Sequence, residues 1–140
     1  MGMQQILLII LSVIIVSISI IGAVGLFKLR AEKANRAAII LDMHEVAMKS
    51  IAYFKTPANI GGGDGSWNPA GFYVWSGYPI SDDERYLETQ NGRIRVSERS
   101  NGRLLIKGWG TELGYDEENA IRAQLILSGT TGEMTFTLLN

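Results

Sequence analysis

The 140-residue sequence contains no cysteine and a single histidine, His44. Without cysteine the chain can form neither a disulfide framework nor a thiolate metal site, and one histidine leaves little material for a metal site or a catalytic triad. Thirteen basic residues against 14 acidic ones give a formal charge of −1, which offers no electrostatic basis for binding nucleic acid. We therefore expect no enzymatic activity, no cofactor, no metal and no nucleic-acid partner.

Three other patterns suggest chemistry only weakly. The acidic runs at 82–84 and 116–118 lack the alternating oxygen spacing of a calcium loop and are typical of solvated turns. The glycine-rich segment 61–65 follows a predicted helix and lacks the Lys-Ser/Thr of a phosphate-binding loop. A turn-rich segment then contributes aromatic candidates for a ligand-binding surface, although packing within the head accounts for them equally well; they are Trp67, Trp75 and Tyr78.

Charge is also absent from residues 1–27. Residues 6–27 read ILLIILSVIIVSISIIGAVGLF, with three serines as the only polar side chains. As a helix this segment spans roughly 33 Å, enough for a bilayer hydrocarbon core of about 30 Å. Each serine hydroxyl can bond to the carbonyl four residues earlier, so it costs little in lipid. A cleaved signal peptide is the alternative, but the apolar run is too long for one and MGMQQ has no basic residue.

The helix is predicted to continue beyond the apolar segment. No proline or glycine interrupts residues 28–56, and Pro57 supplies the stop. We predict one helix from about Gln4 to Phe54. Gly22 and Gly25 are the places where it would bend or locally unwind.

Residues 28–56 form the amphipathic continuation of the apolar helix at 1–27. The face predicted to pack on a sheet comprises Ala37, Ile40, Leu41, Ala47, Met48, Ile51 and Phe54. Asp42, Glu45 and Lys49 lie opposite, and His44 falls within the apolar face, where we expect a buried or interface histidine. Further apolar residues at 39, 43 and 46 widen the arc, which indicates either a broader core or contact with a neighbouring copy.

The globular head at 57–140 is predicted to consist of a loop region at 57–90 and an antiparallel sheet at 91–140. A short strand at 72–75 and a one-turn helix opened by a capping box at 81–84 are predicted within the loop region. Two Asn-Gly turn signals and period-two alternation near the C-terminus predict about four strands. The fold class is therefore α+β, a long N-terminal helix packed on a C-terminal antiparallel sheet.

An apolar segment at the N-terminus that runs into an amphipathic helix and then a sheet resembles the type IV pilin superfamily. In that family the N-terminal half-helices leave the membrane and bundle into a filament core, while the heads form the outer wall. The resemblance implies a homopolymer with a structural role in adhesion, surface attachment or motility. The subunit would lie in the cytoplasmic (inner) membrane until pilus assembly machinery adds it to an extracellular filament. The residues implied to pack the core are Ile6, Leu7, Ile10, Leu11, Ile14, Ile15, Ile18 and Ile21.

The extreme N-terminus departs from the family pattern. The family's processing peptidase cuts after a glycine, and a glutamate at mature position five pairs with the terminal amine of a neighbour, which can be methylated. A cut between Gly2 and Met3 would leave Leu7 at position five, whereas a chain that is already mature has Gln5 there. Gln5 can still accept a hydrogen bond from an ammonium group, without ion-pair attraction.

Two other functions are compatible with the same sequence. A membrane-anchored binding or sensor domain with a single span would use residues 67–78 as its ligand surface. A pseudopilin of a secretion system would share the fold and form short fibres or none. Basic residues after the span place the head in the cytoplasm by the positive-inside rule, unless a basic leader is removed before residue 1.

Overall fold

The computed structural model describes residues 2–100, 102–114 and 119–140. The predicted turn residue at 101 and the acidic run at 116–118 lie outside this part of the chain. The elements in chain order are α1 (Gly2–Lys55), a 3₁₀ turn (Ala58–Ile60), α2 (Pro69–Ser76), β1 (Leu87–Thr89), β2 (Gly92–Arg99), β3 (Arg103–Leu113), β4 (Ala120–Ser128) and β5 (Met134–Leu138). The strands form one antiparallel sheet in the order β1-β2-β3-β4-β5. The predicted α+β fold is confirmed.

The predicted single helix is confirmed, and it continues without interruption through Gly22 and Gly25. It ends just before Pro57, whose ring cannot be accommodated in a helix interior. The three serines of the apolar segment bond back as predicted, because each hydroxyl donates to the carbonyl four residues earlier at 2.7–2.8 Å. Only the C-terminal part of α1 contacts the head, where its first buried residue is Ile39.

The face that α1 turns toward the sheet differs from the prediction. Leu41 and Met48, predicted to be core residues, are 71% and 61% exposed. Of the two alternatives for the apolar residues at 39, 43 and 46, the broader core is confirmed and contact with a neighbouring copy is wrong, since the buried positions of α1 are Ile39, Met43, Val46, Ala47, Ser50 and Tyr53. The buried face lies about 100° around the helix from the predicted one, the angle between consecutive residues.

The error has a physical cause in two residues that hydropathy does not assign to a core. Ser50 is fully buried because its hydroxyl donates to the Val46 carbonyl at 2.7 Å. Tyr53 is buried by edge-to-face contacts with Phe72 and Trp75, each at a centroid distance of 5.7 Å. The buried stripe at 39, 43, 46, 50 and 53 therefore follows helical spacing, but two of its five members are polar or amphipathic.

Two glycines of β3 let α1 lie close to the sheet. A methyl group at Gly108 would stand 2.5 Å from Met43 Sδ, and one at Gly110 would overlap the Asn35 side chain. The helix therefore packs against the backbone of β3 at these two positions. The strands on either side supply the rest of the core through Ile94 and Val96 of β2 and through alternating residues of β4, as the period-two pattern predicts.

The strand predicted at 72–75 is wrong, because these residues belong to α2. Asn68 caps this helix by accepting a hydrogen bond from the Gly71 amide at 3.2 Å, and Pro69 occupies the first turn. Both are start signals for a helix. Phe72 and Tyr73 are buried side by side while Val74 is 80% exposed, a pattern that a strand does not give.

The capping-box helix predicted at 81–84 is also wrong. The Ser81 amide donates to the Tyr86 carbonyl at 2.9 Å, and Ile80 forms a β-bridge with Leu87. The acidic residues between them form an exposed turn. This turn leads into β1, a strand that the prediction assigned to the loop region, so the sheet begins at Leu87 rather than at 91 and has five strands.

We predict that Met43→Ala and Met48→Ala differ sharply in stability. Met43 is fully buried, so its truncation leaves a cavity and lowers the free energy of unfolding by about 2–5 kcal/mol. Met48 is exposed, so its truncation changes that free energy by less than about 0.5 kcal/mol. Urea titration of the full chain in mild detergent, followed by tryptophan fluorescence, measures both. Equal effects would contradict the observed orientation of α1.

Candidate assembly surface

The N-terminal part of α1 is exposed along its whole length, and its last turns line a cleft with residues 112–114 at the end of β3. Every one of residues 2–31 is exposed, and we call this segment the rod. The helix to which it belongs is long and apolar enough to cross a membrane. All eight residues predicted to pack a filament core lie here with 49–74% of their surface exposed, and they are Ile6, Leu7, Ile10, Leu11, Ile14, Ile15, Ile18 and Ile21.

The exposed rod is unfavourable in water. Full burial of one large aliphatic side chain contributes about 1.5–3 kcal/mol. Burial of the eight predicted core-packing residues, in lipid or against another protein surface, would therefore contribute roughly 10 kcal/mol. These eight residues lie within about half of the helix circumference, and further exposed apolar residues, at positions 8, 9, 13, 16 and 20, lie on the opposite side. A single neighbouring element would therefore cover only part of the rod.

Contacts within the subunit do not account for the identity of three residues of the rod, Gly22, Gly25 and Gln5. A methyl group added at Gly22 or Gly25 would meet nothing within 4 Å, so packing within the subunit does not require glycine at either position. Each glycine nevertheless costs the helix about 1 kcal/mol relative to alanine. Gln5 lies exposed near the tip of the rod, where its amide is available to a neighbour.

Charged residues occupy the C-terminal end of the rod and the turn of α1 that follows it. Lys28, Arg30 and Lys33 are exposed, and Arg36 forms an ion pair with Glu32 at 3.0 Å. Cations directly after an apolar span are suited to the polar boundary of a bilayer, where long basic side chains reach the headgroups.

Polar contacts join α1 to the base of the head just after the rod. The Asn35 amide oxygen accepts the backbone N–H of Thr111 at 3.1 Å, and its amide nitrogen donates to the Thr111 hydroxyl at 2.9 Å. Two helical turns further along, the Asn91 side chain donates to Asp42 at 3.0 Å. These bonds join α1 to β3 and to the β1–β2 turn.

Glu45, Lys49 and Tyr78 connect α1 to the segment after α2. The Tyr78 hydroxyl donates to Glu45 at 2.7 Å, and Lys49 forms an ion pair with Glu45 at 3.2 Å while standing 4.0 Å above the Tyr78 ring. The hydrogen bond from Tyr78 and then Lys49 hold the pKa of the Glu45 carboxyl below its ordinary value. Burial and the bond to Glu45 raise the pKa of Tyr78 well above its ordinary value.

The aromatic residues predicted as a possible ligand surface make packing contacts and hydrogen bonds within the head. Trp67 is buried, donates to the Gly102 carbonyl at 3.1 Å and packs on Phe54. Trp75 is half-buried against Tyr53 and Phe72. Tyr78 is half-buried and bonded to Glu45. The three are not brought together as an open face, and the alternative interpretation as packing residues describes them better.

A second apolar surface lies on the head itself. Leu41 and Met48 form a stripe on the back of α1, facing away from the sheet, and His44 between them is exposed rather than buried. The His44 ring contacts Phe136 edge-on at 5.9 Å, which links this stripe to β5. If Ser50 and Tyr53 are assigned to the core, helical spacing places Leu41, His44 and Met48 on the surface.

Within the described residues no group of three or more His, Asp or Glu side chains is suited to hold a metal ion. The described residues present an extended apolar surface along the rod. No protein-family model matches the chain, and no curated protein or solved structure is significantly similar to it.

Proposed function

We propose that this protein is the structural subunit of an extracellular, pilin-like filament that assembles through its rod. The observation that carries the proposal is that residues 2–31 are exposed throughout, while the head closes its own core with residues from 39 onward. In a subunit of this kind the rod needs an external partner, whereas the head does not. Adhesion, surface attachment and motility are the roles such a filament would serve.

The proposed assembly moves the rod from lipid to other copies of itself. Lipid tails and neighbouring isoleucine or leucine side chains are similarly apolar, so the transfer has little hydrophobic driving force or cost. Association then depends on close packing. Gly22 and Gly25 support this step, since small residues let helix backbones approach closely, and Gln5 would accept a hydrogen bond from a neighbour's terminal amine.

The alternative of a membrane-anchored binding domain keeps the rod in lipid. Its proposed ligand surface depends on Trp67, Trp75 and Tyr78, which the head uses for its own packing. The filament proposal needs no such surface, and we favour it on that ground. A pseudopilin would use the same rod in a shorter assembly.

Negative-stain microscopy of material sheared from expressing cells distinguishes these functions. A filament subunit gives regular thin fibres that contain the full chain. Protein that stays in the membrane fraction without fibres would contradict the proposal and indicate an anchored domain, and short irregular stubs would indicate a pseudopilin.

We predict that Ile15→Asp abolishes fibres. A carboxylate at the centre of the rod costs about 3 kcal/mol in lipid, equivalent to more than 100-fold weaker insertion, and it has no partner among packed rods. Fibre yield by microscopy and head folding by circular dichroism in detergent are the measurements. Val74→Asp is the matched control, because it places the same charge at an exposed site on the head and should leave fibre yield unchanged.

We also predict that the fibres resist salt and dissolve in detergent. Apolar contacts between rods are not screened by ions. Attraction between surface charges is largely screened at 1 M salt, where the Debye length is about 3 Å. Sedimentation in 1 M NaCl should leave the protein in the pellet, and a mild detergent should release it. Release by salt alone would mean that charged head contacts, rather than the rods, hold the fibre together.

A further inference from the structure

The strand β5 ends the sheet with one edge unpaired. It bonds to β4 on one side, and among the described residues no strand pairs with its other side. The opposite end of the sheet is different, because residues 79–81 cover the outer edge of β1 through the Ile80–Leu87 bridge and the Glu88–Pro79 backbone bond. Within the described residues, β5 is therefore an edge strand that has no strand partner along the whole length of its outer side.

Hydrogen bonds at both ends of β5 define which backbone groups face that edge. The Glu133 carbonyl accepts from Ser128, and the Leu139 amide donates to Arg122, so the odd-numbered residues point toward β4. Backbone groups alternate in direction along a strand. The N–H and C=O groups of Met134, Phe136 and Leu138 therefore point outward.

This edge lacks the usual features that prevent pairing. Natural edge strands carry lysine, proline, a bulge or an inward charge. Residues 134–139 read MTFTLL and contain neither charge nor proline, and the β4–β5 register has no bulge. Leu138 and Leu139 are also 46% and 53% exposed.

The strand is complementary to itself. When two copies of β5 lie antiparallel with Phe136 opposite Phe136, Met134 faces Leu138 and Thr135 faces Thr137. Each residue thus meets one of its own kind, apolar on the inner face and threonine on the outer face, and such cross-strand pairs are favourable. The outward N–H and C=O groups match as well, because Met134, Phe136 and Leu138 are symmetric about the centre. No charge meets a like charge.

We propose that β5 pairs antiparallel with β5 of a second copy, and that this contact joins subunits whose rods point in opposite directions. The direction follows from the packing of α1, which runs antiparallel to β3 because Asn35 lies at Thr111 and Phe54 lies near Gly129 beside the start of β3. Because β5 is parallel to β3, two antiparallel β5 strands carry two antiparallel rods. Copies in one bilayer, or in one polar filament, cannot pair in this way.

The contact therefore links separate filaments, and this step rests on the proposed function. One five-residue strand per copy is far smaller than the about 20–30 residues a side of a stable interface, so two isolated subunits bind weakly. Two filaments lying antiparallel repeat the contact at the subunits whose heads face the neighbouring filament, and this multivalency converts a weak contact into a stable bundle.

Cysteine cross-linking of the full chain in detergent tests the pairing itself. The native chain has no cysteine, so Thr135→Cys and Thr137→Cys each introduce a single thiol. In the proposed register, residue 135 faces residue 137 of the second copy at a Cα distance of about 4.5 Å, whereas the two copies of residue 135 are diagonal at about 7–8 Å. Only the first distance permits a disulfide.

We predict that an equal mixture of the two variants gives about tenfold more disulfide dimer under mild oxidation than either variant alone, on a non-reducing gel. The matched control is Val74→Cys, which is also exposed on the head and should not cross-link with Thr135→Cys. Equal dimer in every sample would mean random collision and would overturn the pairing, as would no dimer in the mixture.

Fibres provide a second test of the same register. The double variant Thr135→Lys with Thr137→Lys sets lysine against lysine in both pairs, so its fibres should form singly. The double variant Thr135→Lys with Thr137→Glu sets lysine against glutamate in both pairs, so its fibres should still bundle. Single fibres from the wild type, or bundles from the all-lysine variant, would overturn the link between filaments. Absence of fibres from all three would contradict the proposed function, and the cross-link in detergent would still decide the pairing.

Discussion

The burial of the rod is the interaction on which the rest of the molecule depends. Its side chains have no cover from their own chain, and the free energy of leaving them in water is of the same order as the total stability of a small domain. The proposed function supplies this missing environment, first as lipid and then as other copies of the rod. The core of the head does not involve the rod, because it is formed by Ile39 and residues after it.

Folding and assembly thus use different lengths and different faces of α1. The first half presents apolar residues in every direction, suited to lipid or to several neighbouring helices at once. The second half packs one face against β3 and β4, and Leu41 and Met48 lie exposed on the other face. Polar bonds at Asn35 and Asp42 join this second half of the helix to β3 and to the β1–β2 turn.

The sequence was sufficient for the coarse fold because its signals were long and consistent: an unbroken helical segment, a terminating proline and period-two alternation in β4. The sequence was insufficient where the local structure or the buried face depends on one or two residues. Ser50 and Tyr53 are core residues that hydropathy does not count, so the predicted face was displaced by one residue step. Asn68 and Pro69 open a helix in a segment whose aromatic content suggested a strand. The open edge of β5 depends on strand order, which no local pattern in the sequence specifies.

The central claim is that the rod requires a partner from outside its own chain, and sedimentation of the purified full chain during removal of detergent tests it most directly. The account predicts that no species of 15.4 kDa persists in detergent-free buffer, because the protein passes into large assemblies as its micelles are withdrawn. A stable, compact monomer of that mass, with residues 6–27 inaccessible to solvent, would contradict the account.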